Sequence, residues 1–301
     1  MHSFFERICP NEDTIQEIQK FLKQADHSLE EFKKLEKFKN LLLSFKEGMD
    51  SAKVTAYVLS LCENENNFTI EELRILSPLI GKLYGDLLVQ NENGDQVISV
   101  YDRDRLGTMY DGARYHQTRE GGSIHTDNVN IPEPWNYLLL SCLAPGQVGG
   151  ENIIVDGIAV ANKLKSDYPM ALKVLEDNFT WEMRGVKDAL YEAPIITYDE
   201  SGNPIFRHLR PYMESAHRKA QKPLTAEQLY ALDVLDAITN SSEFQIRYRM
   251  KKGDILINVD AQVLHGRTCF SDAYEAVNFD EFLAGRGTVM KRTMERLWIR
   301  K

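Results

Sequence analysis

Along the first ninety residues, apolar side chains recur every three or four positions. Ile15, Ile18, Phe21 and Leu22 form one stripe, and Phe32, Leu35, Phe38, Leu42 and Phe45 form a second. That spacing places each set on one face of a helix. Ser28-x-x-Glu31 and Thr69-x-x-Glu72 have the side chains of a capping box, in which hydroxyl and carboxylate satisfy the first free amide groups of a helix. The Thr69 box opens a helix through Leu73, Leu76, Ile80 and Leu83, with Phe68 placed to staple its start. Packing onto a neighbouring layer is all these stripes require.

From Asn93-Gly94, a hairpin signal, the pattern changes to short apolar runs bounded by turn residues. Strands are predicted at Val97–Tyr101, Tyr137–Leu143, Asn152–Asp156, Phe179–Arg184, Ile195–Tyr198, Ile205–Leu209, Ile255–Val259 and Glu295–Ile299, with a second hairpin at Asp199–Gly202. Short strands at uneven spacing suggest a β-sandwich or jelly roll. Helical inserts are expected near 159–176 and, after the capping box Thr225-x-x-Gln228, near 225–240. Repeats, low-complexity tracts and Pro/Gly-rich linkers are absent from the sequence. Residues 1–301 are therefore expected to form one domain, with a helical region 1–92 packed on a strand-rich core 93–301.

Composition narrows the class. With 43% hydrophobic and 27% charged residues the chain is globular, and its net charge of -9 argues against a nucleic-acid or anionic-membrane partner. The longest apolar run, Tyr137–Pro145, is far short of the ~20 residues that span a bilayer. No secretory signal is visible in Met1–Arg7, and Cys9, Cys62, Cys142 and Cys269 form no C-x-x-C pair. The expectation is a cytoplasmic protein whose partner is a small molecule.

Two histidines sit in informative places. His125-Thr126-Asp127 follows Glu120-Gly121-Gly122-Ser123-Ile124, and His265 opens His265-Gly266-Arg267 shortly after Asp260. In an extended segment His125 and Asp127 point to the same face. A histidine from a distant strand then completes a facial set of two imidazoles and one carboxylate, which suits Fe(II) and leaves positions for a cosubstrate and O2. Alone, His-x-Asp is a weak signal, and a hydrogen-bonded or surface histidine is the plainer reading. The last segment adds weight, since Arg292 and Arg296, four apart, share one strand face. A guanidinium turned inward needs an anion, and its planar fork suits a carboxylate. An exposed strand edge is the alternative.

Three further segments complete a pattern. Gly149-Gly150-Glu151-Asn152 precedes an apolar strand ending at Asp156. Lys252-Gly253-Asp254-Ile255-Leu256 leads into Asn258-x-Asp260-x-x-x-x-His265-Gly266-Arg267, and the arginine pair follows. In this order, from about Ile98 to Arg300, the chain resembles the taurine dioxygenase/clavaminate synthase-like superfamily of Fe(II)/2-oxoglutarate oxygenases. The resemblance implies a mainly β fold with helical insertions, a double-stranded β-helix (cupin-like jelly roll). It implies that His125, Asp127 and His265 hold Fe(II), that Arg292 holds the distal carboxylate of 2-oxoglutarate, and that Arg296 lies near cosubstrate or substrate. Trp298 reads as core. Asn152 stands where relatives commonly carry a threonine that also contacts 2-oxoglutarate. The stretch from His265 to Arg292 is longer than usual; its extra residues, Asp272–Gly287, suggest a lid and include Arg286, a fallback partner for the anion.

The implied chemistry is oxidation of an unactivated C–H bond, coupled to decarboxylation of 2-oxoglutarate to succinate and CO2. The carboxylate at Asp127 points to hydroxylation, desaturation or cyclisation, because related halogenases carry a small residue there. A small, amino-acid-like substrate is expected, with Arg207, Arg210 and Arg114 as candidate contacts and His208, Tyr115 and His116 beside them. Two other classes remain. The same three side chains suit zinc and hydrolysis, and a jelly roll that only binds a ligand would need none of them.

Overall fold

The computed structural model describes residues 4–62, 68–103, 115–184, 187–274 and 289–301. Two sheets carry the fold. In the larger one the strands lie in the order Phe5–Ile8, Ala56–Ser60, Asp254–Val259, Tyr137–Ala144, Thr293–Arg300 and Asp86–Leu87, and Ile98–Val100 also pairs with Thr293–Arg300. Only Phe5–Ile8 with Ala56–Ser60 is parallel. The smaller sheet is Gln245–Tyr248, Asn152–Asp156, Val263–Arg267 and Gly122–His125, antiparallel throughout. The expected jelly roll is present as two sheets that do not close into a barrel.

Period-two alternation sorts the side chains of both sheets into layers. Ala56, Val58, Cys142, Leu256 and Met294 of the larger sheet meet Ile154 and Val263 of the smaller one. The opposite face of the larger sheet, with Leu139, Ile255, Ile257, Leu297 and Ile299, packs on helices Glu12–Leu22, Glu36–Asp50 and Ile70–Tyr84. Ile124, Ile153, Val155 and Leu264 of the smaller sheet pack on helices Gly157–Asp167, Pro169–Leu175, Arg210–Lys219 and Ala226–Thr239. Each fully buried aliphatic or aromatic side chain contributes about 1.5–3 kcal/mol. A one-residue slip would turn a whole row outward, so burial fixes the register. It thereby fixes which polar residues face the space between the sheets.

The capping boxes at Thr69 and Thr225 form as expected, and Ser28 caps a short helix, Leu29–Phe32. The stripe from Phe32 to Phe45 is buried throughout but spans two helices, broken before Glu36. Region 1–92 is not wholly helical. Phe5–Ile8 and Ala56–Ser60 are strands, and the second is buried at every position, so it has no polar alternation for a pattern to reveal. The Asn93-Gly94 turn forms, with Gly94 at φ +84°, yet Asp86–Leu87 and Ile98–Val100 both pair with Thr293–Arg300 rather than with each other. The Asp199–Gly202 hairpin joins Ile196–Tyr198 to Pro204–Phe206. The strand expected to reach Leu209 stops at Phe206 because a helix starts at Arg210, with Pro211 in its first turn. Among the described residues, no helix is long and apolar enough to cross a membrane.

Candidate metal centre and its cavity

His125 ends the strand Gly122–His125, and His265 lies mid-strand in Val263–Arg267. The antiparallel register sets them directly opposite each other. Opposed residues on one sheet face bring their side chains together, and the two imidazole centroids are 4.3 Å apart. Asp127 is not on that strand, contrary to the extended His-x-Asp expected. It opens a 3-10 turn, Asp127–Asn130. Two ties bend the chain there. Thr126 exchanges hydrogen bonds with the His208 backbone, its N–H donating to the carbonyl at 2.8 Å and its Oγ1 accepting from the amide at 3.0 Å. The Asp127 amide donates to Asp260 Oδ1 at 3.1 Å.

This turn brings Asp127 Oδ1 to 3.5 Å from His125 Nε2 and 3.9 Å from His265 Nε2. One ligand atom from each residue lies within 4.8 Å of the others. His125 Nδ1 sits 2.7 Å from the Ser123 carbonyl, so the proton belongs on Nδ1 and the Nε2 lone pair is free. Burial, helped by neighbouring His125, pushes His265 down to about 3 and keeps it neutral. Burial alone would raise Asp127, but the Arg296 guanidinium and the imidazoles outweigh it and hold the carboxyl well below its usual range. A neutral His265 and an ionised Asp127 are in the states in which such side chains bind a divalent metal. The residues fit Fe(II).

The other carboxylate oxygen is taken. Asp127 Oδ2 pairs with Arg296 Nη1 at 3.0 Å and accepts from Trp298 Nε1 at 3.0 Å. Arg296 Nε in turn donates to Gln90 Oε1 at 2.9 Å, while its Nη2 has no partner among the described residues. Arg296 thus faces the metal carboxylate first. Trp298 is buried, as a core residue would be, but its indole N–H also reaches the site. Gln90 had no sequence signal; it lies in an irregular segment remote from every motif.

Beside the triad is a cavity lined on its cationic side by Arg267, Arg292 and Arg296 and also by Asn152. Arg292 precedes the strand Thr293–Arg300, and its amide donates to Asp272 Oδ1 at 2.8 Å. It is 2% exposed, and its Nε has no partner among the described residues. Burial and the nearby Arg267 charge push it down to about 10. Room for it comes from the Gly149-Gly150 turn, where φ is +72° and +77°; a Cβ at Gly150 would lie 2.9 Å from Arg292 Nε. Asn152 Nδ2 is likewise buried without a partner. Arg267, which the His-Gly-Arg motif contained without a role, stacks on Tyr115 at 4.3 Å and bonds the Thr118 carbonyl.

Two of the expected substrate arginines, Arg207 and Arg210, do not line this cavity. Arg207 donates to the carbonyls of Ile131 and Pro132, both at 2.7 Å, and to Tyr191 Oη at 2.6 Å. Arg210 pairs with Glu214, Asp233 and Asp236. Both guanidiniums are thus engaged by protein acceptors away from the cavity. Arg114, Arg286 and most of the proposed lid, residues 275–287, lie outside the described residues. His208 is buried and does not line the cavity, whereas Tyr115 and His116 do. Asn130, Leu209, Tyr212 and Met294 were not foreseen there. Arg207→Met is expected to lower stability by about 2–3 kcal/mol through orphaned carbonyls, with the KM for substrate changed less than about twofold. Denaturant unfolding alongside steady-state kinetics checks both.

The model of the taurine catabolism dioxygenase TauD, TfdA family matches residues 65–290. FR-33289 synthase of Streptomyces rubellomurinus is 24% identical over 237 residues, covering 77% of this chain and 65% of that protein. Human gamma-butyrobetaine dioxygenase is 28% identical over 162 residues, 51% of this chain and 41% of that protein. The chain therefore spans under two-thirds of the length of either curated relative. Among solved structures, asparagine oxygenase with Fe(II), 2S,3S-3-hydroxyasparagine and succinate superposes with a TM-score of 0.69 at 16% identity, covering 98% and 93% of the two chains. The non-heme iron oxygenase OrfP with Fe, succinate and (3S)-hydroxy-L-Arg gives 0.67 at 14%, covering 97% and 93%. At such identities the superpositions speak for the fold. Arg292 and Arg296 fall just past the matched stretch.

Proposed function

The chain belongs to the taurine catabolism dioxygenase TauD, TfdA family, and on that premise we propose that it is an Fe(II)- and 2-oxoglutarate-dependent oxygenase acting on a C–H bond of a small, amino-acid-like molecule. The observation that carries this is the meeting of two Nε2 atoms and one carboxylate oxygen beside buried, under-partnered guanidinium groups. His125, Asp127 and His265 would hold the metal. When bound, ferrous iron supplies activation of O2, coupling decarboxylation of 2-oxoglutarate to substrate oxidation.

The chain's own residues do the rest. Arg292 and Asn152, both buried with nitrogen atoms that have no partner among the described residues, offer donors to the distal carboxylate of the cosubstrate, and a desolvated charge pair of this kind is strong. Arg296 keeps Asp127 ionised and has Nη2 to spare for an anionic group of the substrate. Val129, Leu140, Leu209 and Met294 make the cavity wall apolar and limit water near the reacting centre. A carboxylate-bearing substrate agrees with that cationic side and with the hydroxyasparagine and hydroxyarginine in the neighbouring structures. We place the protein in the cytoplasm, whose reducing conditions suit four scattered cysteines without a C-x-x-C pair. Zinc hydrolysis and silent binding have less support, because neither calls for Arg292 beside the triad, and the matched family and gamma-butyrobetaine dioxygenase are dioxygenases by name.

Anaerobic addition of Fe(II) and 2-oxoglutarate should give the weak visible metal-to-ligand charge-transfer band of the chelate. A succinate-release screen across amino acids and their N- or carrier-linked derivatives then identifies the substrate. Native protein that shows neither band nor succinate release overturns the proposal.

A further inference from the structure

We propose that Trp298 is a positioning residue of the metal centre: its indole N–H, together with Arg296, occupies Oδ2 of Asp127, so that this carboxylate serves the metal through Oδ1 alone. The inference rests on the oxygenase reading above. A carboxylate binds a metal ion through one oxygen or through both, and what the second oxygen is otherwise doing decides between them. Here Oδ2 carries two N–H donors at 3.0 Å, one of them charged, while Oδ1 is the oxygen turned to the imidazoles. A one-oxygen carboxylate leaves a coordination position that a two-oxygen carboxylate would fill. The keto-acid end of 2-oxoglutarate needs two such positions.

The indole is built to stay where it is. Trp298 is 2% exposed on the inward row of the last strand. Trp135 stacks on it with centroids 4.0 Å apart at 19°, and the Arg296 guanidinium lies 4.6 Å from its ring centroid. Gln90, 1% exposed, fixes Arg296 from behind: its Oε1 accepts from Arg296 Nε, and its Nε2 donates to the Arg296 carbonyl at 2.9 Å. Phenylalanine at 298 would keep an aromatic ring on Trp135 and lose only the N–H. Trp135 supplies a matched control, because its own Nε1 has no hydrogen-bond partner among the described residues.

The test is anaerobic titration of the Fe(II)-loaded protein with 2-oxoglutarate, read by the charge-transfer band, beside a separate titration of Fe(II) itself. In Trp298→Phe the 2-oxoglutarate affinity should fall roughly tenfold or more, the size of effect that outer partners of metal ligands have. Fe(II) affinity should stay within about threefold, since a second carboxylate oxygen replaces what the lost hydrogen bond had ordered. Trp135→Phe should match wild type in both titrations. Trp298→Leu removes the same N–H with a side chain of different shape and should show the same split, so it serves if Trp298→Phe does not fold. Unchanged 2-oxoglutarate affinity in the folded variants overturns the inference, as does an equal loss in Trp135→Phe, which would assign the effect to the aromatic stack. Wild-type protein without any band fails earlier, at the oxygenase reading, and the inference falls with it.

Discussion

His265→Ala should abolish the charge-transfer band and cut substrate-dependent succinate release by at least roughly 10³-fold, about 4 kcal/mol of transition-state stabilisation. Asp127→Ala should do the same, but the two variants differ in what they leave behind. His265 Nδ1 makes no hydrogen bond among the described residues, so deleting the imidazole orphans little. Deleting the Asp127 carboxylate strands the buried Arg296 charge and the Trp298 N–H, and an uncompensated buried charge costs about 3–5 kcal/mol. Unfolding curves of the metal-free proteins should therefore separate the pair, with Asp127→Ala clearly the less stable. Succinate release within tenfold of wild type in His265→Ala would show that this imidazole is not a ligand.

Arg292→Ala should raise the dissociation constant for 2-oxoglutarate by a factor of roughly 30 to several thousand, the equivalent of about 2–5 kcal/mol for truncating one partner of a buried charge pair. The site is arranged for that loss to be large. The guanidinium is 2% exposed, and burial with the nearby Arg267 charge holds its pKa down to about 10. Binding a dicarboxylate brings negative charge to this cationic side. Arg292→Lys should recover part of the affinity, because an ammonium keeps the charge and loses the planar fork. Fe(II) affinity should change little, since Arg292 is not among the metal-binding side chains. If 2-oxoglutarate binding survives Arg292→Ala and is lost in Arg286→Ala, the anion partner lies in the 272–287 stretch instead.

Much of the fold was legible because burial writes itself into period and punctuation. The capping boxes at Thr69 and Thr225, the strand Asn152–Asp156 and the hairpin at Asp199–Gly202 are local devices, each complete within a few residues. Ala56–Ser60 was hidden for the opposite reason: buried on both faces, it carries no alternation. Arg207 and Arg210 misled because a sequence shows a charge but not its neighbours. Their carbonyl and carboxylate acceptors come from segments up to 76 residues away.

Sequence by itself determined the residue types at the centre, two imidazoles, a carboxylate and a cationic last strand, because motif order along the chain records which chemistry each segment carries. It also determined that the chain folds as layered strands and helices, since hydrophobic period is a one-dimensional property. Only the tertiary structure decided which oxygen of Asp127 is free, that Trp298 and Arg296 hold the other, and that Gln90 stands behind them. Those facts depend on register and on contacts such as the 206-residue separation between Gln90 and Arg296, and hydrogen-bond partners at that distance are set by how the sheets pack.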